Sequence, residues 1–149
     1  MGIADGAAEI RARGWRTMAA LHALIETDLE RVLQADHGLS VVEFTVLEAL
    51  SRQSGWHMRM QQVARAAALS PSATTRLVNR LEERGLLRRV LCADDRRGIY
   101  TELTDDGRAL LKQASPTHDR ALEAVLDRAC EQPELAPMVQ ALHALPSLV

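Results

Sequence analysis

The sequence predicts a mainly α-helical fold that carries one small β-hairpin. Apolar residues recur at helical spacing over long stretches, the longest of which runs from 7 to 35. Aromatic residues make up only 3% of the chain, and this low share disfavours an all-β core. Two short runs, 86–91 and 99–103, have the composition of strands. A chain of 149 residues is typical of one domain, and we expect a single domain over 1–149.

The first predicted element is a long helix over 7–35. Leu21, Ile25 and Leu29 repeat every four positions, and no proline interrupts the pattern. Gly38 follows, and glycine is typical of the position just past a helix end. The helix is longer than the mean of about 11–12 residues. A long helix at one end of a small protein is often a dimerisation element.

Three shorter helices are predicted next. Ser40 and Glu43 have the spacing of a capping box, which starts a helix that reaches about 52. A short helix over about 60–67 follows, and Ser70 with Pro71 then starts another that ends near 84. The last two lie close together in sequence and are joined by a tight turn. This arrangement is typical of a helix-turn-helix.

The helix that begins at Pro71 has an apolar face, formed by Leu77, Val78 and Leu81, and a polar outer face. A polar second helix is the DNA-contacting element of a helix-turn-helix. The polar tip of the hairpin, 92–98, has the position of a wing. After the hairpin, Thr104 caps a helix that runs to about 130, and a final helix completes a helical region over 105–146.

Charge is distributed unevenly along the chain. Residues 59–98 hold nine arginines and four acidic residues, a net charge of +5, whereas the whole chain carries −2. The remainder is therefore at −7. A basic centre between acidic flanks is the pattern expected of a phosphate-binding surface. A solvated helix face with ordinary ion pairs would show the same composition, so charge alone leaves both interpretations open.

Several function classes are disfavoured by what the sequence lacks. No apolar run approaches the ~18 residues of a membrane span, and the first ten residues lack the pattern of a secretory signal. Two cysteines do not form a disulfide framework. The five histidines show no metal-ligand spacing, and no phosphate loop or nucleophile elbow is present. We therefore expect a cytoplasmic protein that is not an enzyme, with no cofactor, metal site or membrane contact.

Residues 58–107 resemble the DNA-binding core of the multiple-antibiotic-resistance regulator (MarR) family. The matching motifs are LSPSATTRLVNRLE at 69–82, RGLLRR at 84–89, DRRG at 95–98 and LTDDG at 103–107. The flanking helices also follow the family's order. The resemblance implies a winged helix-turn-helix over 40–103 and a helical dimerisation region formed by 7–35 and 105–146. The sequence departs from the family pattern at Ala68, where glycine is common and alanine is expected to hold a strained backbone, and at Cys92, where aspartate is common.

The resemblance implies a homodimeric repressor that binds double-stranded DNA at a pseudo-palindromic operator. The helix at 71–84 would enter the major groove, and a wing arginine would enter the minor groove. Arg76 is the candidate for a guanine edge, and Asn79 would read an adenine or serve as neutral helix surface. Arg97 is the candidate for minor-groove insertion, held by Asp95, and Arg96 for a phosphate contact. The full set of candidate DNA contacts is Ser70, Ser72, Thr74, Thr75, Arg76, Asn79, Arg80, Arg96 and Arg97, with Asp95 as support of the wing.

Family members often respond to a small phenolic or anionic molecule, so an effector is expected as a further partner. Candidate pocket residues are Trp15, Arg16, Met18, His22 and Phe44, although such residues at helical spacing are also typical of a plain core. Two alternatives stay open. Cys92, which is surrounded by arginines in the sequence, would serve as a redox switch beside the DNA. The long first helix would alternatively dock another protein.

Overall fold

The computed structural model describes residues 3–92 and 95–146, and the side chains within these ranges other than those of 3–5, 92 and 95–97. The chain is mostly helical with one small sheet, as the sequence predicts. The elements in chain order are α1 (Ile3–His37), α2 (Val41–Ser51), a 3₁₀ turn (Ser54–Trp56), β1 (His57–Arg59), α3 (Met60–Ala67), α4 (Pro71–Glu83), β2 (Leu87–Cys92), β3 (Asp95–Leu103), α5 (Asp105–Cys130) and α6 (Ala136–His143).

The helix starts follow the predicted capping residues. The hydroxyl of Ser40 accepts a hydrogen bond from the backbone N–H of Glu43 at 3.1 Å, and the Glu43 carboxylate accepts one from the Ser40 N–H at 3.5 Å. This reciprocal pair is the expected capping box of α2. At α5, the hydroxyl of Thr104 accepts from the N–H of Gly107 at 3.0 Å, as predicted for an N-cap.

The sheet has three antiparallel strands in the order β1-β3-β2. The predicted hairpin is present as β2 and β3, which pair from Leu87 opposite Leu103 to Leu91 opposite Ile99. The third strand, β1, was not predicted. It is only three residues long and pairs Met58 with Thr101 of β3, so it forms through a contact with a segment more than forty residues away. A strand of three residues is too short to show the alternation of apolar and polar side chains by which strands are predicted from sequence.

The chain divides into two compact units. Among the described residues, the first unit comprises 3–32 and 118–146, so it is built from most of α1, the second part of α5 and α6. The division falls within α1 and α5 and not at their ends. The core of this unit consists of Leu21, Leu126, Ala129, Leu135 and Val139. An ion pair between Asp28 and Arg128 also joins α1 to α5.

The second unit covers 33–117 and contains the helix-turn-helix and the sheet. Helix α3 packs against both α2 and α4, and α4 also packs against β2. The most completely buried side chains of these helices include Leu47, Leu50, Val63, Leu77 and Leu81. Burial of such side chains stabilises the packing by about 1.5–3 kcal/mol each and fixes which face of α4 remains outside.

Within the described part of the chain, no helix combines the length and the apolar character that a membrane span requires.

Candidate nucleic-acid interface

Helix α4 presents one polar face to the outside. Its N-terminus is set by Ser70, whose hydroxyl accepts from the N–H of Ala73 at 3.3 Å, and by Pro71 at the first helical position. The apolar side chains predicted to face inward, Leu77, Val78 and Leu81, are buried. The exposed polar side chains between Pro71 and Arg80 are Ser72, Thr75, Arg76, Asn79 and Arg80. Of these, Ser72 and Thr75 lie near the helix N-terminus, where backbone N–H groups also favour phosphate.

The expectation that Thr74 contacts DNA is wrong in this structure. Its side chain is only 1% exposed, and its hydroxyl donates to the carbonyl oxygen of Ser70 at 2.8 Å. One residue corresponds to about 100° of rotation around a helix, so Thr74 faces the core while Thr75 faces outward. Ser70 is exposed, but its hydroxyl is engaged in capping α4 and lies 3.4 Å from that of Ser72. Its evident role is therefore to hold the helix start in place.

The turn between α3 and α4 contains a left-handed residue at the position where the family often has glycine. Ala68 has φ 54° and ψ 43°, a conformation in which glycine is usually found. Around it, the N–H of Leu69 donates to the carbonyl of Ala64 at 3.0 Å, and that of Ala68 donates to Arg65 at 3.2 Å. These two bonds close the end of α3. Ala68 therefore carries the strain predicted for it.

An arginine of the wing connects the sheet to α4. From β2, Nη2 of Arg89 donates to Oδ1 of Asn79 at 2.5 Å, and Nε of Arg89 donates to Oε1 of Glu82 at 2.9 Å. Sequence reasoning did not single out Arg89. Its role depends on the strand pairing that turns it toward α4, since alternate residues of a strand face opposite sides. The composition of the 84–89 motif contains no signal that distinguishes it from Arg88.

The neighbouring Arg88 has a different partner. Its guanidinium donates to both carboxylate oxygens of Glu102 on β3, at 3.0 and 3.3 Å. This hydrogen bond, together with the negative charge of Glu102, raises the pKa of the Arg88 guanidinium. Elsewhere on the sheet, Nε of Arg59 donates to the Tyr100 hydroxyl at 3.1 Å. Two of the arginines counted in the basic region, Arg88 and Arg59, thus form hydrogen bonds within the sheet.

The predicted wing-tip contacts lie outside the described side chains. The structure gives the backbone of Asp95, Arg96 and Arg97 as the first residues of β3, opposite the end of β2. Their side chains, and that of Cys92, are not described. Their assignment to minor-groove, phosphate and redox roles stays a prediction.

The predicted effector residues fall into different parts of the fold. Trp15, Met18 and His22, together with Ala19, line a shallow hollow of about 350 Å³ on α1. Arg16 is exposed and pairs with Glu9 at 2.9 Å. Phe44 belongs to the second unit and is buried there as a core residue, and its assignment to a pocket stays a prediction. Among the described residues, no group of three or more His, Cys, Asp or Glu side chains is placed to hold a metal ion.

Comparison with known proteins agrees with this architecture. Residues 37–98 match a family model described as the MarR family. A solved structure of Sco3205, a MarR family transcriptional regulator from Streptomyces coelicolor in complex with DNA, is 31% identical. The alignment covers 89% of this chain and 86% of that one, with a TM-score of 0.71. The chain belongs to the MarR family.

Other relatives of this MarR family member are themselves named as transcriptional regulators. AbsC, a MarR family regulator from the same Streptomyces species, is 30% identical over 87% of this chain and 86% of its own, with a TM-score of 0.73. The HTH-type transcriptional regulator PecS of Dickeya dadantii is 32% identical over 68% of this chain. The match spans 61% of the length of PecS. The fold is therefore that of a MarR winged helix protein, as predicted.

Proposed function

We propose that this MarR family member is a homodimeric repressor that binds a pseudo-palindromic DNA operator and is released by a small ligand. The observation that carries the proposal is the exposed polar face of α4. Ser72, Thr75, Arg76, Asn79 and Arg80 are all exposed, and the helix has no acidic residue between Pro71 and Arg80. This face, hereafter the α4 face, therefore presents donors and positive charge up to Arg80, and the acidic residues Glu82 and Glu83 follow only in the last turn of the helix.

Four side chains of the α4 face have roles that follow from their size and charge. Ser72 and Thr75 are small, so the helix N-terminus can approach the DNA backbone closely. Arg76 has the fork geometry for the O6 and N7 acceptors of guanine, and Arg80 suits a phosphate. At the wing, Arg97 enters the minor groove and Arg96 contacts phosphate, with Asp95 holding Arg97. The major-groove and minor-groove contacts together define one half-site.

The first unit supplies the dimer contact. It leaves several apolar side chains exposed, with Ile10 at 61% and Trp15 at 66%, and α1 with α6 forms an apolar groove of about 620 Å³. The groove is lined by Ile10, Gly14, Pro137 and Ala141 among others. Apolar surface of this kind is typical of an interaction site, and we assign a second copy of the chain to it. A two-fold dimer would place the two α4 helices roughly 34–36 Å apart, one turn of DNA.

The hollow beside Trp15, Met18 and His22 is the proposed effector site. Its lining is mostly apolar, and Arg16 lies next to it in sequence, which suits a small aromatic anion. Because the hollow lies on the unit assigned to dimer contacts, a bound ligand would favour a dimer whose recognition helices no longer match the spacing of the grooves.

The proposed function also implies a location. A repressor acts on chromosomal DNA, and in a cell without a nucleus this DNA lies in the cytoplasm.

The experiment is selection from random duplex DNA, followed by fluorescence anisotropy on the enriched site and on a scrambled duplex across a salt series. We expect an enriched pseudo-palindrome, tight binding to it and a steep salt dependence. Arg76→Ala should abolish most of the preference for the enriched site. Arg52→Ala is the matched control, because Arg52 is an exposed arginine at the C-cap of α2 that pairs with Glu48 at 2.7 Å. It should leave the preference unchanged.

Failure of the wild-type protein to enrich any sequence would overturn the proposal. The long first helix would then be tested as a docking element for another protein. A module that binds only protein does not need a wing beside a basic helix face. Enrichment of a defined DNA site would therefore exclude a pure protein-interaction module.

A further inference from the structure

The contact between Arg89 and Asn79 determines how Asn79 is presented to DNA. Asn79 and Glu82 are three residues apart on α4 and therefore lie on the same side of the helix. Arg89 reaches both from β2, with its Nη2 at 2.5 Å from Asn79 Oδ1 and its Nε at 2.9 Å from Glu82 Oε1. The guanidinium is thus held by two acceptors, and in turn it fixes the side-chain amide of Asn79.

The chemistry of arginine sets the orientation of this amide. A guanidinium has only donors, so the atom of Asn79 that faces it must be the carbonyl oxygen and not the amino nitrogen. The reversed amide would bring two donors together at hydrogen-bond distance. The amino group, with its two N–H donors, is therefore directed away from Arg89. Asn79 is exposed on the α4 face, so these donors are the part of the amide available to a ligand.

An asparagine that reads adenine uses both ends of its amide. Oδ1 accepts from N6 of the base while Nδ2 donates to N7, and both atoms must face the base edge together. In this protein Oδ1 faces Arg89 instead. The amino group alone remains for a base, and it requires an acceptor. In the major groove guanine presents two acceptors, adenine one acceptor beside its N6 donor, thymine one acceptor and cytosine only a donor, so guanine fits a lone donor best.

We propose that Arg89 is a specificity-determining positioning residue: it turns Asn79 into a donor that selects guanine at one operator position in place of adenine. The inference rests on the proposed DNA-binding function and deepens it. It also replaces the sequence-based expectation that Asn79 reads adenine.

Arg89 has a second, separable effect through Glu82. The Glu82 carboxylate is part of α4 and is partly exposed, so without a partner it would repel nearby phosphate. This charge effect does not depend on base sequence and changes the affinity for all DNA alike. The orientation effect on Asn79 changes the preference at one base pair only. The two effects are therefore distinguishable in one set of binding measurements.

The test begins with the full-length protein and the site enriched from random DNA. Asn79→Ala identifies the position that Asn79 reads, because the preference there should fall by roughly 5- to 150-fold while other positions keep theirs. In the wild-type protein that position should be guanine. Arg89→Met, which keeps the length of the side chain but removes its donors, should shift the preference at this position from guanine toward adenine.

Three further variants separate orientation from charge. Arg88→Met removes the same charge from the adjacent residue, whose partner is Glu102, and should leave the base preference intact. The double variant Arg89→Met with Glu82→Gln should recover affinity for all DNA but not the preference for guanine. Asn79→Asp keeps an acceptor for Arg89, so the hydrogen bond between the two residues and the fold should persist. The carboxylate has no N–H donor, however, and the variant should lose the preference for guanine.

The outcomes are distinct. A guanine preference that survives in Arg89→Met or in Asn79→Asp overturns the inference, as does an adenine at the position that Asn79→Ala identifies. If Arg89→Met does not fold, as judged by its circular dichroism and melting temperature, Asn79→Asp decides alone. Failure of the wild-type protein to enrich any sequence refutes the proposed function itself, and this result is known before any variant is made.

Discussion

Gly107, in the first turn of α5, lies directly against the backbone carbonyl of Leu86. A Cβ atom added to Gly107 would be 2.3 Å from that oxygen and 2.7 Å from Cδ1 of Leu103. The same carbonyl accepts from the N–H of Thr104 at 3.1 Å. The start of α5 is therefore fixed to the segment that leads from α4 into the wing, and only glycine fits at this contact.

Gly107→Ala should destabilise the protein although alanine is the better helix former. The intrinsic gain is about 0.5–1 kcal/mol, whereas forcing a methyl group against a backbone oxygen costs about 1–3 kcal/mol. We expect a net loss of about 1–2 kcal/mol, measured as the free energy of unfolding in urea. Gly6→Ala is the control, because an added Cβ there meets nothing within 4 Å. Equal stability of the two variants would contradict the close contact.

Ala68→Gly should stabilise the protein. A left-handed conformation costs a non-glycine residue about 1–2 kcal/mol, and the greater flexibility of glycine in the unfolded chain offsets about 0.5–1 kcal/mol of the gain. We expect the free energy of unfolding to rise by up to about 1 kcal/mol, with a melting temperature a few degrees higher.

The control for Ala68 is the same chemical change inside α3. Ala66 is an exposed helical residue, and Ala66→Gly should lower stability by about 1 kcal/mol. The two substitutions should therefore have opposite signs in the same thermal-melting assay. A loss of stability in both would show that Ala68 does not hold the left-handed conformation in solution.

An element of this structure could be predicted from the sequence when the residues that determine it lie close together in the chain. The starts of α2, α4 and α5 were predicted because Ser40, Ser70 and Thr104 act on backbone groups within three residues of themselves. The turn at Ala68 came from the family resemblance. The three-residue strand β1 could not be predicted, because its pairing partner lies more than forty residues later in the chain.

The candidate site shows the same limit. Helical periodicity correctly predicted which side chains of α4 are exposed, except for Thr74, since the phase of a 13-residue helix is set by its packing. The contact of Arg89 with Asn79 was not predicted at all. It requires the register of β2 on β3 and the packing of β2 on α4, neither of which is encoded in neighbouring residues.

The two wing arginines should differ in their effects on DNA binding. Arg97→Ala should reduce affinity for the operator by about 1–3 kcal/mol, because a groove contact is lost. Arg96→Ala should weaken binding to operator and scrambled DNA equally and reduce the salt slope by about 1, as expected for a phosphate contact. Asp95→Asn should act in the direction of Arg97→Ala. Fluorescence anisotropy at several salt concentrations measures all three, and equal effects of both alanine variants would remove the distinction between them.

Oxidation should not release the protein from DNA if a ligand is the physiological signal. We expect hydrogen peroxide to leave operator affinity unchanged in the wild-type protein and in Cys92→Ser. Cys130→Ser is the control, because Cys130 is an exposed free cysteine at the end of α5 and is open to oxidation. Peroxide sensitivity that disappears only in Cys92→Ser would establish a redox switch at this cysteine instead.

Ile10→Asp should convert the dimer to a monomer. Ile10 is exposed in the isolated chain and lines the apolar groove of the first unit. An aspartate at this position would stay in water in the monomer, but dimer formation would bury its carboxylate without a partner. Leu21 is less suitable, because it belongs to the core of its own unit and its replacement would unfold the chain. Ile99→Asp is the matched control: Ile99 is also an exposed apolar residue but lies on β3.

Light scattering after size exclusion should give half the mass for Ile10→Asp and an unchanged mass for Ile99→Asp. Tight operator binding should be lost together with the dimer, since each half-site alone contributes only part of the contacts. A dimer that persists in Ile10→Asp would place the interface on another surface of the chain.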